Sequence, residues 1–307
     1  MPFPQTLEAK PRVIFFTDFD GTITLQDTND FITDNYGMGY EKRRKLFHAV
    51  IDKTDTFRNT FQQMVDSWNM PFPRVLEILK ENISLDPAFR DFVLWARENK
   101  IPVIVLSSGM APVLEALLNH LLGEDLMQDL EIVANATQLR PPGNSLDAPD
   151  GWTIKYRDDS GFGHDKSLTI RPYADAIAKM PAHERPTLLY AGDGVSDLSA
   201  ARETDLLFAR EGMDLVTYCE NEGIPFTEFS GWESILEETK DIYDGRKTVK
   251  NLAEEGLRRH RTNSIESGAA LDIDGIEGRK VDNHVPELEF YNNDFANRTA
   301  KITDESP

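Results

Sequence analysis

Four short runs in this sequence are almost wholly apolar, and three of them stop at a polar, glycine-bearing turn. Val13-Ile14-Phe15-Phe16 leads into the acidic stretch Thr17 to Thr24, and Pro102-Val103-Ile104-Val105-Leu106 leads into Ser107-Ser108-Gly109. Thr187-Leu188-Leu189-Tyr190-Ala191 leads into Gly192-Asp193-Gly194, and Leu206-Leu207-Phe208-Ala209 follows a helix-like stretch. A strand covered on both faces needs no polar alternation, so runs of this kind read as buried parallel strands. Helical patterns fall between them, for example at Ala88 to Asn99 and Met110 to Leu122. Strands alternating with helices predict an α/β fold, a doubly wound parallel sheet with its sites at the carboxyl ends of the strands.

Asp27 to Leu85 breaks the alternation. It reads as helical, most clearly at Glu41 to Val50 and Thr56 to Trp68, with no strand between, and is expected to form a small all-helical cap inserted after the first strand. Ala134 to Leu139 and Trp152 to Arg157 read as two strands flanking a Pro-, Gly-, Asn- and Asp-rich loop, a β-hairpin flap. The last 57 residues carry 12 acidic and 7 basic side chains and few apolar runs, which predicts a disordered tail. The layout is then an α/β core at 1-26 and 86-250, a helical cap at 27-85 and a tail at 251-307.

The formal net charge of −20 argues against nucleic acid, which needs a basic surface to replace its counterions, and against anionic lipid. An anionic substrate needs a local cation inside this negative body. Cys219 is the only cysteine, so neither an internal disulfide nor a cysteine-rich zinc site is available. No run approaches the ~18 apolar residues of a membrane span, and the first twelve residues lack the apolar core of a secretory signal. The expectation is a soluble cytoplasmic protein, with nuclear presence left open.

Asp18-Phe19-Asp20-Gly21-Thr22 stands at the end of the first run. Two carboxylates at a strand end can share a crevice, and their repulsion calls for a cation such as Mg²⁺. One stays ionised and can attack phosphorus, and the other can hold a proton for the leaving group. Gly21 permits close backbone approach and Thr22 adds a hydroxyl donor. Taken alone, the string also fits a turn or a calcium loop. Ser107 and Ser108 offer hydroxyls at a second strand end, or mark an ordinary helix-start turn. Lys166, in Gly163-His164-Asp165-Lys166-Ser167, can neutralise a phosphate or be a surface lysine. Asp193 and Asp197, one helical turn apart, can face an oxygen-ligand cation site.

The ordered set of these four motifs resembles the haloacid dehalogenase superfamily of phosphatases, and the helical insertion resembles its phosphoserine phosphatase-like branch, over roughly residues 12 to 245. That resemblance implies a Rossmann-like core and gives roles by position. Asp18 is the phosphorylated nucleophile and Asp20 the acid/base. Thr22, Ser107 and Ser108 bind the phosphoryl group with Lys166. Mg²⁺ is held by Asp18, Asp193 and the Asp20 backbone carbonyl, with Asp197 in support.

Phe162-Gly163-His164-Asp165-Lys166-Ser167 and Gly192-Asp193-Gly194-Val195-Ser196-Asp197-Leu198-Ser199-Ala200-Ala201 further resemble a fungal group acting on sugar-alcohol (polyol) phosphates. The expected partner is a small phosphorylated metabolite. Phosphoserine is the rival substrate. In that branch a cap glutamate meets the substrate ammonium, and Asp27 falls at its position, although Asp27 also suits a helix N-cap. The matching cap arginine has no clean counterpart, since Gln62, Gln63 and Met64 occupy its neighbourhood and Arg58 lies a turn earlier. That departure favours a neutral polyol body. A catalytically silent scaffold is the alternative of a different class.

Overall fold

The computed structural model describes residues 3–141 and 144–266. The chain divides into two units, Met1–Leu257 and Arg258–Pro307, and the sheet belongs to the first. Its seven strands are β1 (Val13–Thr17), β2 (Val103–Met110), β3 (Leu130–Leu139), β4 (Trp152–Lys155), β5 (Thr187–Gly192), β6 (Leu206–Arg210) and β7 (Phe226–Phe229). They lie in the order β4-β3-β2-β1-β5-β6-β7, all parallel except β4, which pairs antiparallel with β3. This is the expected α/β, Rossmann-like doubly wound sheet. The chain winds outward from β1 in both directions, so the crevice at the switch point opens beside the end of β1.

Each of the four apolar runs is a strand, and the pleat explains why none alternates. Val13 and Phe15 face one apolar cluster, with Val103, Val105, Leu189 and Phe208. Ile14 and Phe16 face the other, with Ile104, Leu106, Leu188 and Leu207. Helices Phe89–Glu98 and Trp232–Tyr243 cover the first face, and Ser167–Ala178 and Asp214–Glu222 cover the second. Both sides of the sheet are therefore core.

Between β1 and β2 come four helices before the first core helix: Thr28–Tyr36, Tyr40–Ile51, Phe57–Asp66 and Phe72–Asn82. Their apolar sides (Phe61, Met64, Val65, Trp68, Phe72, Val75) join the first cluster. They are tied to the β3–β4 hairpin. Trp152 of β4 packs edge-on against Phe72, with ring centroids 4.9 Å apart, and its Nε1–H donates to the Met70 carbonyl at 2.9 Å. Gln62 Nε2 donates to Thr153 Oγ1 at 3.0 Å, and the Tyr156 hydroxyl donates to the Arg58 carbonyl at 2.8 Å. Arg140 pairs with Asp66.

Two sequence expectations shift. β3 begins at Leu130 rather than at Ala134, because its first half pairs with β2 inside the sheet and only its second half forms the hairpin. The disorder expected from residue 251 fails for its first part: Val249–Glu266 is a helix, anchored by Leu252, which is fully buried among the residues of the first face. Residues 267–307 lie outside the described residues. Among the described residues, no helix is long and apolar enough to cross a membrane.

Candidate active site

Adjacent strands deliver the acidic groups to one place. The Asp18 amide, just past β1, donates to the Ala191 carbonyl of β5 at 2.8 Å, so the two strand ends are locked side by side. Asp193 emerges immediately after β5. Oxygens of Asp18, Asp193 and Asp197 all lie within 4.8 Å of one another. Gly21 makes this approach possible: its φ is +67°, and a β-carbon there would sit 2.3 Å from Asp193 Oδ2.

The two oxygens of Asp18 differ. Oδ1 accepts from the Phe19 amide at 2.7 Å and pairs with Lys166 Nζ at 2.9 Å. Oδ2 accepts no hydrogen bond from the described residues. Burial first, and then the Asp197 carboxylate, push Asp18 up to about 7 against the pull of Lys166. Asp193 is raised well above the usual carboxylate range by burial, then by Asp18 and Asp197. None of the described residues donates to its carboxylate.

Asp197 is placed differently. It is fully buried, and four donors meet it: Lys166 Nζ at 2.6 Å and the Tyr190 hydroxyl on Oδ1, the Asp193 and Gly194 amides at 3.0 Å on Oδ2. Its carboxylate is saturated, so it braces the loop that carries Asp193. Lys166, also fully buried, is pulled down by its burial but raised on balance by Asp18 and Asp197, so it stays an ammonium.

Asp20 faces the first helix of the insertion. Its Oδ1 accepts from the Thr28 amide and hydroxyl at 2.8 and 2.6 Å, and its Oδ2 accepts from Asn29 Nδ2 at 2.9 Å. Burial, then Asp27, raise it well above the ordinary range despite these donors. Asp27 itself caps that helix, accepting from the Asn29 and Asp30 amides at 2.8 Å each. The helix-cap reading of Asp27 is thus realised in the structure.

The second strand end has a register shift between Ser107 and Met110, which loops Ser108 and Gly109 out of the ladder. A β-carbon on Gly109 would lie 3.4 Å from Asp20 Oδ2, which puts this loop against the first motif. Ser107 Oγ accepts from the Gly109 amide at 2.9 Å, while Ser108 Oγ and Thr22 Oγ1 are buried without a hydrogen-bond partner. A buried hydroxyl left unpaired is costly, and such groups await a ligand or water. His164 Nδ1 lies 2.8 Å from the Ser107 carbonyl and joins the Lys166 loop to this turn. Asn135 does the same for β3, donating to the Ser108 carbonyl at 2.7 Å. Thr28, Asn29, Asn135 and Tyr190 lie outside the four sequence motifs. The Thr28-Asn29 pair beside Asp27 was the one available signal, as polar residues opening a helix.

The donor set fits a hard divalent cation. Two carboxylates, Asp18 and Asp193, retain uncommitted oxygens beside each other, both destabilised first by burial and then by neighbouring carboxylates, Asp197 for the one and Asp18 with Asp197 for the other.

A model of haloacid dehalogenase-like hydrolases matches residues 15–202. The polyol phosphate phosphatase PYP1 of Saccharomyces cerevisiae is 47% identical over 245 residues, covering 79% of this chain and 99% of that one. The Pdp3-interacting factor 1 of Schizosaccharomyces pombe is 47% identical over 237 residues, covering 77% and 99%. A substrate-bound phosphoserine phosphatase shares the fold, with a TM-score of 0.51 at 16% identity over 74% of this chain and 98% of that one. The chain belongs to the haloacid dehalogenase-like hydrolase family. Within it, the chain is a phosphatase, a phosphoric monoester hydrolase.

Proposed function

We propose that this phosphatase hydrolyses small sugar-alcohol phosphates in a Mg²⁺-dependent reaction through an aspartyl-phosphate on Asp18. The observation that carries the chemistry is the half-committed Asp18 carboxylate: Oδ1 is held by Phe19 and Lys166, and Oδ2 is left to attack. Oδ2 forms a bond to phosphorus as the ester P–O bond breaks, and Asp20 gives its proton to the departing alkoxide. The raised affinity of Asp20 for a proton suits that step. Asp20 then takes a proton from water, whose oxygen attacks the phosphoryl group and restores Asp18. Ser107, Ser108 and Thr22 orient the phosphoryl oxygens, and Lys166 holds the nucleophile and balances charge. Asp18, Asp193 and the Asp20 backbone carbonyl would hold Mg²⁺, with Asp197 in support. When bound, the ion supplies Lewis-acid stabilisation of the charge on the transferring group. Residues 27-85 act as a cap over this centre.

The polyol substrate class is supported by identity to the yeast enzyme over nearly its whole length. It is also supported by how the arginines of the insertion are used. Arg43 is buried and clamped by Asp30 and Asp34. Arg58 donates to the Asp158 carbonyl and stacks 4.6 Å over the Tyr156 ring. Arg43 therefore presents no open fork to the carboxylate of an amino-acid substrate, while Arg58 commits one Nη to the Asp158 carbonyl and lines the cavity beside Gln62. The test is phosphate release from ribitol 5-phosphate, sorbitol 6-phosphate and phosphoserine, with Mg²⁺ and with a chelator. Polyol phosphates should turn over fastest, and chelation should stop turnover until Mg²⁺ is restored. Phosphoserine turning over far faster than ribitol 5-phosphate would overturn the substrate class.

A further inference from the structure

Tyr190 occupies a position where packing asks only for an apolar ring. In β5 it sits opposite Phe16 of β1 and Leu207 of β6, and its body lies in the second apolar cluster with Ile14, Leu188 and Ala200. A phenylalanine would fill that space. The hydroxyl is the extra group, and it is fully buried, where an unpaired hydroxyl would be costly.

It is not unpaired. Tyr190 donates to Asp197 Oδ1 at 2.5 Å and accepts from Lys166 Nζ at 3.1 Å. An ammonium has three N–H donors. Those of Lys166 are met by Asp18 Oδ1 at 2.9 Å, Asp197 Oδ1 at 2.6 Å and the Tyr190 hydroxyl, with Ser196 Oγ farther off at 3.5 Å. Asp18 and Asp197 attract the ammonium through charge, which fixes distance better than direction. The tyrosine supplies a third, neutral point that fixes the direction, and it reaches the ammonium from the sheet rather than from the loops. Its bond to Asp197 extends the hold, because the other oxygen of Asp197 carries the Asp193 and Gly194 amides.

We infer that Tyr190 is a positioning residue for the reaction, whose hydroxyl braces Lys166 and Asp197 so that the Asp18 carboxylate and the Asp193 loop keep their attacking geometry. This rests on the phosphatase reading above and assigns to that same centre a support built into the sheet. Tyr190 touches no substrate in this account, so its loss acts on kcat rather than on KM.

Tyr190→Phe removes the oxygen and keeps the ring. Deleting one hydrogen-bonding group shared by two charged partners predicts a fall in kcat of about tenfold or more. KM for ribitol 5-phosphate should stay within about twofold, since uniform binding is untouched. Tyr173→Phe is the matched control, a buried tyrosine of the same cluster, and it should keep wild-type kcat. Tyr190→Phe should cost less in an Asp197→Asn background than in the wild type, because one of the two charged partners the hydroxyl braces is already neutral there. Melting curves report folding separately, and Tyr190→Met makes the same deletion with a flexible chain. Wild-type kcat in Tyr190→Phe, or an equal loss in Tyr173→Phe, overturns the inference while an active wild type leaves the phosphatase reading standing. A wild-type chain that releases no phosphate with Mg²⁺ removes both.

Discussion

The ends of β1, β2 and β5 and the seam between the helical insertion and the β3–β4 hairpin are both well ordered by contacts, but by opposite kinds. At the strand ends the contacts are ionic, buried and short in reach: Asp18, Lys166, Asp193 and Asp197 neutralise or repel one another within one crevice. At the seam they are mostly aromatic and main-chain, with the charged groups partly exposed: Arg140 pairs with Asp66, and Arg58 stacks over Tyr156. Trp152 packs on Phe72 and Trp68, and main-chain bonds join Phe72 to Leu146 and Arg58 to Gly161 at 2.8 Å. A polar cavity of about 320 Å³ lies in that seam, with Asn59, Gln62, Gln138 and Lys155 on its walls, and none of the strand-end carboxylates lines it. The first region can perform chemistry because its charges are poorly solvated. The second can hold the insertion in place because its buried contacts are aromatic and its ion pair, Arg140 with Asp66, stays partly solvated.

The seam can be broken without touching the charges. Trp152→Ala removes a side chain that is 3% exposed and leaves the Met70 carbonyl without its donor. A loss of ~3–5 kcal/mol is expected, read as a lower denaturant midpoint. At temperatures where the variant remains folded, KM for a polyol phosphate should rise more than kcat falls. An unchanged midpoint would show that the insertion is held elsewhere.

A smaller effect sharpens the other side of the comparison. His164 is 1% exposed, and its burial lowers it from 6.5 to about 4. The folded chain thus keeps this ring neutral where the unfolded chain protonates it. Its contribution is intact above pH 6.5 and declines as pH falls toward 4, by roughly 3 kcal/mol at most. His164→Asn, which can still donate to the Ser107 carbonyl, should show a shallower loss of stability across that window in denaturant titrations at several pH values. An unchanged slope would mean that the ring is protonated in the fold.

The difference between the two regions also decides what could be read from sequence. Each chemical motif is a few adjacent residues at the end of an apolar run, so strand and turn chemistry point to the same place, and Asp18, Asp193 and Lys166 converge as their motifs predict. The four apolar runs are strands for the same local reason. β7 (Phe226–Phe229) escaped because it is short, carries Thr227 and Glu228, and lies at the edge of the sheet. The start of β3 escaped because Glu131 interrupts its apolar run. The seam was illegible because Trp68 and Trp152 meet across a chain separation that no local pattern spans. Tyr190 was illegible for the converse reason: it reads as one more apolar strand residue, and only its neighbours reveal the hydroxyl's partners. The helix running to Glu266 was hidden by a composition typical of tails, with its anchor at Leu252 supplied by tertiary packing.

The central claim concerns Asp18. Phosphate release from ribitol 5-phosphate in the presence of Mg²⁺, compared between the wild-type chain and Asp18→Asn, tests it most directly, with melting curves confirming that both are folded. A neutral amide in place of the half-committed carboxylate should cut kcat by ~10³-fold or more. A folded Asp18→Asn protein that turns over at the wild-type rate would contradict the account.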